Sequence, residues 1–136
     1  MMLDDLGFVP AVQMLVRKAH QGPGAVPDAR LEVLGTARPL PAGVELAMYR
    51  IVQEALMNAV RHGKASHIVI TGDIGPDAAT LSIIDNGTGF DTTKQTDGFG
   101  IASMRGRMRD VPGGAFALES TADVGTRIRL TWKNDA

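Results

Sequence analysis

Apolar positions along this chain change their period several times, and each change marks an element. Leu3, Leu6, Phe8, Val9, Val12, Leu15 and Val16 recur at roughly helical spacing. Pro10 suits a first helical turn, so a helix is expected over residues 10–20, stopped by Gln21-Gly22-Pro23-Gly24. Leu3 to Gly7 reads as an arriving segment. Arg30 to Leu34 alternates briefly and predicts a short strand. A wide stripe of Val44, Ala47, Met48, Ile51, Val52, Ala55, Leu56, Ala59 and Val60 predicts the main helix, Pro41 to Val60, with Gly63 at the usual place for a C-terminal glycine.

The period then switches to two. His67–Ile74 and Thr80–Asp85 predict an antiparallel hairpin turning at Gly75-Pro76-Asp77. A polar loop fills residues 87–100, and Ile101–Arg109 predicts a short helix stopped by Pro112-Gly113-Gly114. Phe116–Ser120 and Thr126–Lys133 predict two last strands joined around Asp123-Val124-Gly125. In the final strand Thr126, Ile128, Leu130 and Trp132 share one face, and Arg127, Arg129, Thr131 and Lys133 share the other. A one-sided sheet covered by helices on its apolar face is an α+β two-layer sandwich. The absence of a repeated βαβ order argues against a dinucleotide-binding doubly wound fold.

Composition narrows the picture. A chain of 136 residues is one domain by the usual size prior, and its net charge of -1 argues against a nucleic-acid or membrane-surface protein. With no cysteine, disulfide, thiolate and cysteine–zinc chemistry are excluded, which fits a cytoplasmic setting. No apolar run approaches the roughly 18 residues of a membrane span, and no signal peptide is visible. Sixteen glycines exceed the usual share of about 7%, and most of the surplus falls after residue 84 beside charged residues. That clustering suggests backbone approaching a ligand, against the plainer reading of many turns.

The main helix carries a second, polar ridge: Arg50, Glu54, Asn58 and Arg61/His62 follow at three- or four-residue steps. A Glu near a metal-bound phosphate can orient water or accept a proton. An Asn oxygen is a suitable hard ligand for Mg²⁺. Arg61, His62 or Lys64 could meet phosphate charge. The same ridge would equally serve as a solvated face. Asp85 shares the inward face of its strand with Leu81 and Ile83, where a carboxylate is costly unless something polar meets it. It suits an acceptor for a ligand donor such as a purine amine, or a cap on the turn at Asn86-Gly87. Thr126 begins the inward face of the last strand, which alone means little. Gly87 and Gly89 allow close backbone approach. Gly98-Phe99-Gly100 leads into a helix N-terminus, a ready anion site. It is neither a Walker motif nor the dinucleotide fingerprint. Asp91 to Asp97 looks like a lid.

The order of these signals is more specific than any one of them. E-x-x-x-N on a helix, a strand ending D-x-G-x-G, a G-x-G entering a helix, and G-T entering a final strand resemble the asparagine box and three glycine boxes of the GHKL ATPase superfamily. The likeness covers residues 25–133. R-I-V-Q-E-A-L-M-N-A-V-R-H-G, D-N-G-T-G-F and G-F-G-I-A-S-M-R-G-R-M resemble the catalytic domain of NarL-type sensor histidine kinases. The resemblance implies the two-layer α/β sandwich of that superfamily, with a mixed, mostly antiparallel sheet. It implies ATP and Mg²⁺, with Asn58 holding the metal at the phosphates and Glu54 as polar or general-base residue. Asp85 would accept the adenine amino hydrogen with Thr126 in support. Gly87 and Gly89 would let backbone pass the base, Gly98 and Gly100 would hinge the lid and present amides, and Arg61 and His62 would meet phosphate. Ile101 and Met104 would pack in the core. The γ-phosphoryl group would pass to a histidine on a separate dimerisation domain, for relay to a response regulator. None of His20, His62 and His67 sits in an acceptor motif. Residues 1–9 are therefore expected to link from such an upstream domain, and residues 10–136 to form the catalytic domain, without nucleic-acid or membrane contact. A serine kinase of the anti-sigma-factor type shares the boxes, and a non-catalytic nucleotide-binding module is the remaining alternative.

Overall fold

The computed structural model describes residues 7–21, 26–35, 40–89 and 100–134. The element order is helix α1 (Phe8–Ala19), strand β1 (Asp28–Gly35), helix α2 (Ala42–Asn58), a π-helical turn (Ala59–Gly63), strands β2 (His67–Ile74) and β3 (Ala78–Asp85), helix α3 (Ile101–Arg109), and strands β4 (Gly114–Thr121) and β5 (Gly125–Lys133). The five strands form one sheet in the order β1-β2-β3-β5-β4. Only β1 and β2 run parallel, with α2 crossing between them; the other three pairs are antiparallel. This is the α+β two-layer arrangement expected from the strand periods.

One face of the sheet is covered. Ile68, Ile70, Leu81, Ile83, Ile128, Leu130 and Trp132 point to the helical layer and are buried. Against them lie Val12 and Val16 of α1, Met48, Ile51, Val52 and Leu56 of α2, and Met104 and Met108 of α3. Each such side chain contributes about 1.5–3 kcal/mol by leaving water. Ile101 and Met104 sit in this core, as expected. Gly72 makes room for it: a Cβ there would lie 2.8 Å from Leu81 Cδ1.

Two boundaries differ from the pattern. Helix α1 starts at Phe8, two residues before the expected Pro10 start, because Phe8 is itself a core residue. The main helix leaves α geometry after Asn58 and closes with the π turn, and the left-handed cap is Lys64 (φ 48°). The C-terminal signal therefore read one residue early at Gly63. The strand limits widen by one to two residues at most ends, since backbone pairing outruns side-chain alternation.

Candidate functional site

The sheet brings three polar residues into one row. Pairing places Asp85 of β3 opposite Thr126 of β5, and Thr126 opposite Ser120 of β4. All three are half-buried on the helix-covered side, at the end of the strands. Asp85 Oδ1 accepts the Gly87 N–H at 2.8 Å. The Thr126 backbone N–H also donates to this carboxylate. Burial pushes the Asp85 carboxyl above its ordinary range, and the two N–H donors pull in the opposite direction. The turn cap expected of Asp85 is thus seen directly in its bond from Gly87.

Two turns interlock around this row. Gly89 (φ 61°) lies so close to the β4–β5 turn that a Cβ would collide with the Thr121 carbonyl oxygen. Gly125 (φ 144°) is pressed onto the other turn, where a Cβ would collide with the Asp85 carbonyl oxygen. The Asp123 N–H closes the pair by donating to Thr88 O at 2.6 Å. Both glycines are needed for backbone to pack on backbone within the chain, a requirement separate from the passage of a ligand.

Asn86 does work that its place in an Asn-Gly turn concealed. Its Oδ1 accepts from the N–H groups of Ser66 (3.0 Å) and His67 (2.8 Å), and its Nδ2 donates to Ser66 Oγ at 2.8 Å. Asn86 therefore clips the chain that follows the π turn to the end of β3. His67 also stands 3.6 Å from Asp28, which Arg30 holds below the usual carboxylate range. His20 Nδ1 lies 2.8 Å from Val26 O, bracing the end of α1.

The polar ridge of α2 divides. Glu54 faces α3: a Cβ on Gly100 (φ 67°), the residue capping the N-terminus of α3, would lie 2.7 Å from Glu54 Oε1. Asn58, one turn on, is the last α-helical residue, and its Oδ1 is buried and accepts no hydrogen bond. Arg61 departs from the ridge. It lines a groove of about 490 Å³ between α1 and α2 with Leu15, Lys18, Gln53, Leu56 and Met57, and neither Glu54 nor Asn58 borders that groove. The π turn explains this: its wider circuit means that three residues beyond Asn58 no longer return to the α-helical face. Arg50 donates to Gln53 Oε1 at 3.3 Å. Gly98 and the lid stretch Asp91–Asp97 lie outside the described residues, as does the side chain of His62.

Comparison with known proteins shows the family and the fold. The chain belongs to the family described as histidine kinase-, DNA gyrase B-, and HSP90-like ATPase, whose model matches residues 43–136. Similar curated proteins include sensor kinases. The chain is 37% identical over 132 residues to the signal transduction histidine-protein kinase/phosphatase DegS of Brevibacillus brevis, covering 96% of this chain and 33% of that protein. It is 36% identical over 104 residues to the sensor histidine kinase LiaS of Bacillus subtilis, covering 76% of this chain and 28% of that one. The chain thus spans about a third of the curated relatives it matches. Among solved structures, the ATP binding domain of PrrB from Mycobacterium tuberculosis aligns with TM-score 0.59 and 24% identity, over 93% of each chain. The histidine kinase AdeS of Acinetobacter baumannii aligns with TM-score 0.68 and 14% identity, over 99% of this chain and 73% of that one. At these identities the structural matches speak for the fold alone.

Proposed function

We propose that this chain is the ATP-binding catalytic domain of a sensor histidine kinase. It passes the γ-phosphoryl group of ATP to a histidine on a separate dimerisation domain of the same kinase, for relay to a response regulator. The observation that carries the reading is the contact between Glu54 and Gly100. It joins the asparagine-box helix to the glycine that starts α3, so a phosphate at that helix N-terminus would lie beside Glu54 and Asn58. At the other end, Asp85 offers an oriented acceptor to the adenine amino group, with Thr126 beside it.

The donor set suits Mg²⁺. Among the described residues no group of three His, Asp or Glu side chains converges. Mg²⁺ commonly takes one or two protein oxygens and completes its shell with phosphate and water. The inward Oδ1 of Asn58 is such an oxygen, with Glu54 a turn away. Bound there with ATP, the ion would supply neutralisation of the developing phosphate charge. The chain's own part is positioning: Asp85 anchors the base, the α3 N-terminus receives phosphate, and Glu54 stands ready to orient or accept a proton at the transferring group. His62 as a phosphate partner and Gly98 as a lid hinge follow from the resemblance alone. Arg61 as a phosphate partner likewise follows from the resemblance alone. The domain acts on the cytoplasmic side, whether or not its kinase is membrane-bound, and without membrane or nucleic-acid contact of its own. Among the described residues no helix is long and apolar enough to cross a membrane.

Calorimetric titration with ATP and Mg²⁺ tests the reading. The parent chain is expected to bind, and Asp85→Asn to bind at least about tenfold more weakly, the loss of one charged hydrogen bond. Equal binding by the variant would refute the assignment.

A further inference from the structure

We propose that Asn86 is a positioning residue for base recognition: its side chain fixes the turn after β3 so that Asp85 presents its carboxylate to the adenine amino group. The proposal rests on the nucleotide reading above and adds to it the residue at the first open place of D-x-G-x-G. An Asn before a Gly usually serves the backbone, by taking the left-handed region in a tight turn. Here neither Asn86 nor Gly87 has a positive φ. The turn therefore makes no demand for asparagine, and the side-chain amide carries the reason. Its Oδ1 accepts the N–H groups of both Ser66 (3.0 Å) and His67 (2.8 Å), and its Nδ2 donates to Ser66 Oγ at 2.8 Å. The Asn86 backbone N–H donates to His67 O at 3.2 Å, one step beyond the last ladder pair of β2 and β3.

Asp85 and Asn86 are thus held from two sides. On the β5 side Gly125 presses on them: a Cβ there would collide with Asp85 O and come within 3.1 Å of Asn86 Cα. On the β2 side the side-chain hold beyond the ladder is the Asn86 amide. Between these grips the Asp85 carboxylate accepts the N–H groups of Gly87 and Thr126. Its direction depends on where Gly87 stands, and Gly87 follows Asn86 directly. Without the amide, the chain after Asp85 can swing away from β2 and take the Gly87 N–H with it. The carboxylate then loses a donor that aims it. A directional contact to a ligand tolerates an error of only about 0.5 Å. Asn86 is exposed, so its truncation removes no core packing.

The experiment is a double-mutant cycle read by calorimetric titration of ADP, with thermal unfolding followed in parallel so that every variant is titrated while folded. Asn86→Ala is expected to bind ADP about tenfold more weakly than the parent, the worth of one hydrogen bond to the base. A loss made through Asp85 cannot be made twice. The double variant, Asp85→Asn with Asn86→Ala, should therefore bind within about twofold of Asp85→Asn alone, where independent effects would add in free energy. A looser fold would lower affinity on either background. Asn86→Asp keeps an acceptor for the Ser66 and His67 N–H groups and should recover most of the loss. Should the alanine variant not fold, Asn86→Ser, whose hydroxyl sits one bond nearer the backbone, takes its place in the cycle with the same expectations. Parent-like ADP binding by Asn86→Ala overturns the proposal, and so do losses that multiply in the double variant or persist in Asn86→Asp; the nucleotide site stands in each case. A parent that binds no ADP overturns the nucleotide reading itself.

Discussion

At the scale of single residues, Asp85 serves binding and stability with opposite signs. Its carboxyl is raised by burial, so the ionised form is costly to the fold. The group's own contribution to stability is therefore fully present below the unfolded-state value, and it declines as pH rises through the raised folded-state value. Ligand binding runs the other way, because only the ionised carboxylate is a pure acceptor. Acidification from neutral pH should weaken ADP binding, beginning at higher pH than an ordinary aspartate would. Asp85→Asn should abolish that pH dependence and unfold no earlier than the parent at neutral pH. A thermal melt beside a pH series of titrations checks both halves. Asn58 separates in a different variable. Asn58→Ala should reduce the gain in ATP affinity brought by Mg²⁺ while leaving metal-free binding within about twofold, a change smaller than one hydrogen bond. Titrations with Mg²⁺ and with a chelator measure the difference.

At the scale of elements, the interlocked turns and the π turn carry what periodicity does not. Gly125→Ala and Gly89→Ala should each cost about 1–3 kcal/mol or more, since both require positive φ and both would drive a Cβ into a carbonyl oxygen. Chemical denaturation gives the value. Asn86→Ala should loosen the clip between β3 and the chain after the π turn, with a loss of about 1–3 kcal/mol from the N–H groups left without their acceptor. Amide exchange should rise at Ser66 and His67 first. The reasons for these features were only partly readable beforehand. The strand periods gave the inward row of Leu81, Ile83 and Asp85 and that of Ile128, Leu130 and Trp132, because alternation is a local property. The order of Glu54, Asn58, Asp85, Gly100 and Thr126 carries the resemblance on which the proposed site rests. Ser120 was hidden because its meaning depends on the β4–β5 register. The groove that Arg61 lines was not foreseen because a helical wheel assumes α geometry, and the π turn begins directly after Asn58. Gly89 was read as room for a ligand and Gly125 as part of a turn, but their closest contacts are with each other's turns.

At the scale of the whole molecule, one apolar layer holds the two ends of the site in register. Asp85 and Thr126 ride on the sheet, Glu54 and Asn58 on α2, and Gly100 on α3. Core residues such as Met104, buried between the layers, fix their relative placement. Met104→Ala should cost about 2–5 kcal/mol. The resulting looseness between α3 and α2 should weaken phosphate binding more than adenosine binding, which comparison of ATP with adenosine would reveal. The most direct test of the account is transfer itself. The chain, ATP labelled at the γ-phosphorus and Mg²⁺ are incubated with a separately produced dimerisation domain bearing an acceptor histidine, from the same kinase. The expected product is an acid-labile label on that domain, lost with Asn58→Ala and Asp85→Asn. Acid-stable label on serine, or label that persists in both variants, would contradict it.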